Sequence, residues 1–270
     1  MVKTDRQSGI IYRTWQVDDP RAVLLLVHGL GAHSGRWREL AEYFLRERFS
    51  SYAIELEGFG VTEALQGHVD SFGVYYRDIL SLAGIISKEN PGKNIFLLGE
   101  SLGGLISFIF YAGRPEGFSG LVCLAPSFSI RMQVSLWDYL RVFFSLFLNS
   151  RKQFPVHFIS SMCTRDPQSQ KVIDEDIREH RLVTAKFMFN YFKAERSSRS
   201  RVFQIKAPVL FLVPGEDKLV SPQASRNIFA KIPAADKQLI EYPEMYHALS
   251  VEMGREKVFN DILAWLEKRL

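Results

Sequence analysis

Residues 95–105 read Ile-Phe-Leu-Leu-Gly-Glu-Ser-Leu-Gly-Gly-Leu, an apolar run that ends in a G-x-S-x-G motif and continues into an apolar helical pattern. In this strand–turn–helix context the turn is sharp enough to lift the hydroxyl of Ser101 above the edge of a sheet. The small residues Gly99 and Gly103 let the helix approach the strand closely, and the helix N-terminus supplies N–H groups where an oxyanion forms. The motif predicts that Ser101 is a nucleophile; the alternative is a serine that only caps the helix.

The rest of the chain alternates short apolar runs with longer helical patterns. Further strands are predicted at 22–27, 51–56, 119–125, 208–213 and 237–242, and helices at 35–48, 69–88, 102–113, 222–231 and 254–269. This alternation is typical of an α/β fold with a mainly parallel, doubly wound sheet flanked by helices. Residues 10–17 are a candidate for an additional, antiparallel strand at the start of the sheet.

The alternation breaks once, where residues 127–201 contain no convincing buried strand. We interpret this stretch as a helical cap inserted into a core formed by residues 1–126 and 202–270. Open α/β sheets bind ligands beyond the carboxyl ends of their strands. The cap is therefore expected to lie over that edge, above Ser101.

A glycine-rich turn follows the predicted strand at 22–27 and reads His28-Gly29-Leu30-Gly31. Such a turn can aim a backbone N–H at the oxygen of a carbonyl under attack. The predicted oxyanion-hole donors are the N–H groups of Leu30 and of Leu102, the residue after the nucleophile. His28 is then expected to hold the loop, and the alternative is a simple strand–helix turn.

Two late loops supply candidates for the acid and the base of a triad, in the chain order that this fold requires. Asp217 follows the strand at 208–213, with Glu216 as the alternative acid. His247 follows the strand at 237–242, and none of the five other histidines follows the last strand. His247 is predicted to take the proton of Ser101 and to return it to the leaving alcohol.

These motifs resemble the α/β-hydrolase superfamily, and within it the monoacylglycerol lipase and lysophospholipase group. Residues 28–37 are similar to that group's H-G-x-G-x-H-S-x-R-Y/W pattern, and residues 58–60 stand where the group has G-H-G. The likeness extends from about residue 22 to the C-terminus and is weakest in the cap. Three positions depart from the pattern: Glu100 replaces a common His, Glu55 replaces a common Asp, and Val61-Thr62 stands near a common Ser.

The resemblance implies a serine hydrolase that cleaves monoacylglycerols or similar lipid esters through an acyl-enzyme, without a cofactor or metal. A carboxylesterase for short or aromatic esters and a lysophospholipase are the alternatives. A peptidase would need a site for an amine terminus, and no residue marks one. A non-catalytic binding module would lack a triad residue, whereas Ser101, Asp217 and His247 are all present.

An apolar helix is predicted in the cap, where residues 134–148 carry only four polar residues, spaced 3, 3 and 4 apart. We expect its apolar face to form a wall for an acyl chain and to touch a lipid interface. The alternative is a helix packed beneath the rest of the cap. The predicted substrate-binding side chains are those of Leu136, Leu140, Phe143, Phe144 and Phe147. Residues 127–201 hold 13 Lys and Arg against 7 Asp and Glu, a net charge of +6 that could attract an anionic surface.

Composition sets broad limits on the function. The chain has 270 residues, 47% hydrophobic residues and a net charge of +4, which is ordinary globular composition with too diffuse a charge for nucleic-acid binding. Cys123 and Cys163 do not make a disulfide framework. Residues 1–7 lack the apolar segment of a secretory signal, and no stretch is long enough to span a membrane. These features predict a cytoplasmic protein, and they leave its oligomeric state open.

Overall fold

The computed structural model describes residues 2–5, 9–131 and 136–270. The strands are β1 (Val2–Thr4), β2 (Ile11–Trp15), β3 (Ala22–Val27), β4 (Phe49–Ile54), β5 (Ile95–Glu100), β6 (Gly120–Leu124), β7 (Gln153–Pro155), β8 (Leu182–Thr184), β9 (Val209–Pro214) and β10 (Lys237–Tyr242). The helices are α1 (Arg38–Arg46), α2 (Gly73–Glu89), α3 (Leu102–Gly113), α4 (Leu136–Leu148), α5 (Ser160–Cys163), α6 (Pro167–Glu175), α7 (Ala185–Arg201), α8 (Pro222–Ala230) and α9 (Arg255–Glu267). Short 3-10 turns lie at Ser34–Trp37, Val202–Gln204 and Leu249–Val251.

Eight strands form one sheet in the order β1-β2-β4-β3-β5-β6-β9-β10. The six strands from β4 to β10 in this order run parallel, whereas β1 and β2 pair antiparallel. The predicted mainly parallel α/β sheet is confirmed, and the additional antiparallel strand expected within residues 10–17 is β2 (Ile11–Trp15). The central strand β5 delivers Ser101 to the carboxyl edge of the sheet, where β9 and β10 also end.

The sheet is buried on both faces because its parallel strands are continuously apolar. Alternate residues of β3 show this: Leu25 belongs to the core beneath α2, α3 and α7, while Leu24 and Leu26 belong to the core beneath α1 and α9. All six residues of β3 are buried. Two apolar cores therefore hold the strand ends in fixed relation, and with them the loops that carry the candidate triad.

The cap is the segment between β6 and β9, two strands that are neighbours in the sheet. It contains α4 to α7 and also an antiparallel ribbon of β7 and β8, in which Phe154 pairs with Val183. The predicted helical cap did not include this ribbon. The ribbon strands have only three residues each, too few for alternation to be visible in the sequence. Within the described part of the chain, no helix is long and apolar enough to cross a membrane.

Candidate active site

Ser101 lies at the sharp turn between β5 and α3 with a φ of 57° and a ψ of −118°. A non-glycine residue at positive φ is strained, and the surrounding packing holds it there. A Cβ atom on Gly103 would lie 2.1 Å from the carbonyl oxygen of Val27, and one on Gly99 would lie 2.3 Å from the carbonyl oxygen of Gly103. Both glycines are therefore needed for the helix to sit this close to the sheet, as the motif predicts.

Three side chains from three separate loops meet at this turn. The hydroxyl of Ser101 lies 2.8 Å from Nε2 of His247, and Nδ1 of His247 lies 2.7 Å from a carboxylate oxygen of Asp217. With the proton on Nδ1, His247 donates to Asp217 and its Nε2 accepts the serine proton, which is the arrangement of a serine-hydrolase triad. The structure thus brings together the three residues predicted from the sequence.

Asp217 is held by more than the histidine. Its other oxygen accepts hydrogen bonds from the N–H groups of Leu219, at 2.8 Å, and Val220, at 2.9 Å, and the residue is fully buried. Glu216, the alternative acid, is exposed. Burial by itself would lower the pKa of His247, but Asp217 raises it, and the net result lies above the usual value. The arrangement therefore stabilises a protonated imidazole.

The predicted oxyanion donors, Leu30 and Leu102, both line the cavity at Ser101. Among the described residues neither backbone N–H has a hydrogen-bond partner. Leu102 opens α3, so its N–H is one of those a helix cannot satisfy internally. Two free donors beside a nucleophile are suited to bind a developing oxyanion.

His28 holds the loop of Leu30 rather than facing the cavity. Its Nδ1 donates to the carbonyl of Gly29 at 2.8 Å, and its Nε2 accepts from the N–H of Leu56 at 3.1 Å. The ring is buried, and burial lowers its pKa. These contacts agree with the structural role expected from the sequence.

The candidate site opens into a cavity whose empty space, including the open solvent at its mouth, is about 1020 Å³. Most of the wall is apolar. Its apolar side chains from the cap are those of Ile130, Val156, Phe158, Cys163, Ile173, Val183, Phe187, Met188, Tyr191 and Phe192.

The prediction that α4 lines this cavity is wrong for the side chains that the structure describes. Leu140, Phe143, Phe144 and Phe147 are absent from the cavity wall and are 37–76% exposed. The side chain of Leu136 lies outside the described residues. Of the polar residues within 134–148 whose side chains are described, Arg141 is exposed, whereas Ser145 is buried with Val142 and the aromatic side chains face outward.

Among the elements of the cap, α7 contributes the most side chains to the apolar wall, and the sequence analysis did not single it out. Phe187, Met188, Tyr191 and Phe192 recur at intervals of one, three and one along this helix, so they share one face. That spacing was visible in the sequence. It was less prominent than the apolar pattern of α4, because α7 also carries five Lys and Arg residues.

A group of charged side chains also faces the cavity, and we call Arg36, Glu100 and Glu179 the polar cluster. Arg36, from the turn before α1, forms an ion pair with Glu179 of the cap, and the two side chains are 13% and 8% exposed. Burial alone would lower the pKa of Arg36, but Glu179 raises it. Within the described residues, no group of three His, Cys, Asp or Glu side chains could hold a metal ion.

The cap is bonded to both loops of the candidate site. The N–H of His180 donates to the carbonyl of Gly31 in the glycine-rich turn at 3.0 Å. The N–H of Ala248, next to the histidine, donates to the carbonyl of Cys163 at 2.8 Å. Cap segment 156–181 therefore helps to fix the backbone around both Leu30 and His247.

Comparison with known proteins gives a consistent picture. Residues 18–254 match the family model described as serine aminopeptidase, S33. The chain is 26% identical over 264 residues to a monoacylglycerol lipase of Mycolicibacterium smegmatis, covering 97% of this chain and 94% of that protein. It is 28% identical over 280 residues to a monoglyceride lipase of Rattus norvegicus, covering 100% and 90%.

The fold is similar to that of solved lipases. A crystal structure of a monoacylglycerol lipase from Paleococcus ferrophilus superposes with a TM-score of 0.88 at 26% identity, covering 97% of this chain and 99% of that one. A soluble variant of a monoglyceride lipase from Saccharomyces cerevisiae, solved with a substrate analogue, superposes with a TM-score of 0.85 at 19% identity, covering 100% and 94%. At that identity the second likeness bears on the fold alone.

Proposed function

This chain belongs to the serine aminopeptidase S33 family of α/β-hydrolases, and from that premise we propose that it hydrolyses monoacylglycerols through an acyl-enzyme on Ser101. The observation that carries the proposal is the contact chain from Ser101 through His247 to Asp217 at the floor of an apolar cavity that also contains charged groups. An apolar wall suits a fatty acyl chain, and charged hydrogen-bonding groups suit a polyol. The relatives named above support the same substrate class.

The reaction proceeds in two steps that use the same groups. His247 Nε2 takes the proton of Ser101 as the hydroxyl oxygen attacks the ester carbonyl, and the N–H groups of Leu30 and Leu102 bind the resulting oxyanion. Collapse of this intermediate breaks the bond to glycerol, whose oxygen receives the proton from His247. Water then repeats the sequence on the acyl-serine and releases the fatty acid.

The polar cluster supports a glycerol leaving group over a phosphorylated one. Arg36 donates, and the carboxylates of Glu100 and Glu179 accept, so hydroxyl groups can find both kinds of partner. The guanidinium of Arg36 is already paired with Glu179, so the cluster has no unpaired cation to bind a phosphate. A lysophospholipase is therefore the weaker alternative, although the cap as a whole is basic.

The family's description as an aminopeptidase raises a second substrate class, an amide with a free ammonium group. An ammonium site needs a carboxylate whose charge is not balanced by another protein group. Glu179 is balanced by its ion pair with Arg36, and Glu100 interacts electrostatically with Arg36 and His247. The remaining lone pairs of these carboxylates can still accept from hydroxyl groups. The arrangement therefore favours an ester with a neutral alcohol.

The test is fatty-acid release from monoacylglycerols of increasing chain length, with Ser101→Ala as the blank. We expect a maximum at medium or long chains, because the wall of the cavity is mostly apolar. Labelling by a fluorophosphonate probe should depend on Ser101 as well. Activity only on short or activated esters would make the protein a general carboxylesterase, and labelling that persists in Ser101→Ala would refute the assignment of the nucleophile.

We further propose that α4 docks onto an anionic lipid surface from which the substrate enters. Its outward face presents Trp137 at 75% exposure, Phe147 at 76% and Leu148 at 85%, flanked by Phe143 and Phe144. Aromatic side chains on one helix face are typical of interfacial helices, and the net charge of +6 over residues 127–201 adds attraction to anionic headgroups.

Sedimentation with vesicles of phosphatidylcholine and phosphatidylserine tests this surface. The double variant Phe144→Ser/Phe147→Ser should bind at least tenfold more weakly, because two large apolar side chains are removed from the lipid. Phe203→Ser is the matched control, since Phe203 is 60% exposed but lies outside α4. Equal vesicle binding by both variants would refute the assignment of α4 as the docking helix.

A further inference from the structure

Glu100 occupies the position between Gly99 and the candidate nucleophile, at the end of β5. Its side chain is buried, with the residue only 5% exposed. A carboxylate is an expensive group to bury unless hydrogen bonds and charges compensate for the lost water. The sequence analysis noted Glu100 only as a departure from the pattern of the monoacylglycerol lipase and lysophospholipase group, which often has His at this position.

Both oxygens of Glu100 are satisfied by a single residue on the loop that carries the candidate base. Oε1 accepts from the N–H of Ser250 at 2.9 Å, and Oε2 accepts from the hydroxyl of Ser250 at 2.7 Å. Ser250 lies in the 3-10 turn Leu249–Val251, three residues after His247. Since the N–H of Leu249 donates to the carbonyl of His247 at 3.1 Å, the turn is continuous with the histidine.

Charged groups surround Glu100 on the remaining sides. His247, on the loop after β10, and Arg36, from the turn before α1, both act on it electrostatically. Behind Arg36 lie Glu179 and Cys163 of the cap. Asp217, on the loop after β9, faces His247 from another side. Burial raises the pKa of Glu100 by more than Ser250, His247 and Arg36 lower it, so the net pKa lies above the usual value.

We propose that Glu100 is a positioning residue for acyl transfer: it fixes the histidine loop through Ser250, and its negative charge stabilises the imidazolium that forms on His247. The inference rests on the proposed function, since it assumes that His247 is the base. In this role Glu100 supplements Asp217, which holds the ring from its Nδ1 side. Two carboxylates then share the charge that develops on one imidazole during each step.

Two variants separate the charge of Glu100 from its hydrogen bonds. Glu100→Gln has the same size, and its amide can still bond to the N–H and the hydroxyl of Ser250, so mainly the charge is lost. Ser250→Ala keeps the charge and the backbone bond but removes the hydroxyl contact. For both variants and the wild type, kcat and kcat/KM for a monoacylglycerol are measured from pH 5 to 9.

For Glu100→Gln we expect the acidic limb of kcat/KM to move to lower pH by ~0.5–1 unit, because a negative charge near His247 is removed. One unit of pKa equals a factor of ten, so kcat on the plateau should fall up to about tenfold. Ser250→Ala should lower kcat with little shift of the limb. Circular dichroism and thermal melting show whether each variant is folded.

Three outcomes are decisive. An unshifted acidic limb in a folded Glu100→Gln variant overturns the electrostatic role. A shift of equal size in Ser250→Ala overturns it too, because loop displacement would then explain both. Inactivity of the wild type toward every ester tested refutes the proposed function itself, which keeps that failure distinct from a failure of the inference about Glu100.

Discussion

The buried ion pair between Arg36 and Glu179 allows stability and substrate selectivity to be tested separately. Glu179→Gln leaves the guanidinium of Arg36 without its counterion at a site where the two side chains are only 13% and 8% exposed. Removing one partner of a buried pair costs about 3–5 kcal/mol, and the residual exposure places this pair near ~3 kcal/mol. At ~2–4 °C per kcal/mol for a domain of this size, the melting temperature should fall by ~6–12 °C.

Replacing both partners gives the opposite result for stability. In Arg36→Leu/Glu179→Leu no charge of the pair is left buried, so the free energy of unfolding should return to within about 1 kcal/mol of the wild type. The double variant still lacks the groups proposed to bind glycerol. A hydrogen bond to a charged group contributes about 1.5–3 kcal/mol, so kcat/KM for a monoacylglycerol should fall ~10- to 100-fold relative to a nitrophenyl ester of the same acyl chain.

The assay pairs thermal melting with hydrolysis of those two esters. The nitrophenyl ester is the internal control, because its leaving group does not need hydroxyl recognition. If the ratio of the two kcat/KM values is unchanged in a stable double variant, Arg36 and Glu179 do not bind the alcohol. If Glu179→Gln melts like the wild type, the pair is not buried in solution.

Other predictions concern single residues. Gly31 has a φ of +76°, and a Cβ there would lie 2.6 Å from a carbonyl oxygen of the cap, so Gly31→Ala should lower the free energy of unfolding by about 1–3 kcal/mol. Gly84 lies in an open position on α2, so Gly84→Ala should raise it by ~0.5–1 kcal/mol. Urea unfolding measures both changes. Asp217→Asn should lower kcat by about three orders of magnitude or more. It should also shift the acidic limb of kcat/KM to lower pH, because Asp217 is the main group that raises the pKa of His247. A stopped-flow or steady-state pH profile that matches the wild type would exclude Asp217 as the acid. Burial lowers the pKa of His33 to about 4. As the pH falls below about 6.5, the unfolded chain therefore takes up a proton at this residue and the folded protein does not. The contribution of His33 to the free energy of unfolding is present above that pH and is lost as the pH falls toward 4. His33→Gln should reduce this loss of stability in acid by on the order of 2 kcal/mol. The measurement is the difference between the free energies of unfolding in urea at pH 7.5 and pH 4.5. An undiminished difference would show that another group causes the loss.

The order of elements in the core was predictable because it depends on local patterns. The strand at Lys237–Tyr242 and the helix at Leu102–Gly113 have the predicted bounds. The turn after β5 follows from glycine spacing, and the loops of Asp217 and His247 follow from the fixed strand order of such sheets. These are features in which each residue's neighbours in the chain decide its structure.

The cap was less predictable because its contacts are long-range. Periodicity shows that α4 has a wide apolar face, but it does not show whether protein or lipid covers that face. Arg36 and Glu179 are separated by 143 positions, and no local signal joins them. The bonds of Glu100 to Ser250 span 150 positions. The polar part of the cavity is therefore a product of tertiary folding, and only its residue types were visible beforehand.

The cap leaves the sheet at β6 and returns at β9, and these adjacent parallel strands lie about 4.8 Å apart. An insertion with closely spaced ends can change length or sequence without moving the strands on either side of it. The two halves of the insertion are not equally free to change. Segment 156–181 is held by its hydrogen bonds to Gly31 and Ala248, whereas α4 contacts chiefly α7. Evolution can therefore exchange α4, the helix proposed to dock onto lipid, while retaining the half of the insertion that is hydrogen-bonded to the loops of the candidate site. Under the proposed docking, relatives that draw an ester from membranes, droplets or micelles would differ first in this one helix.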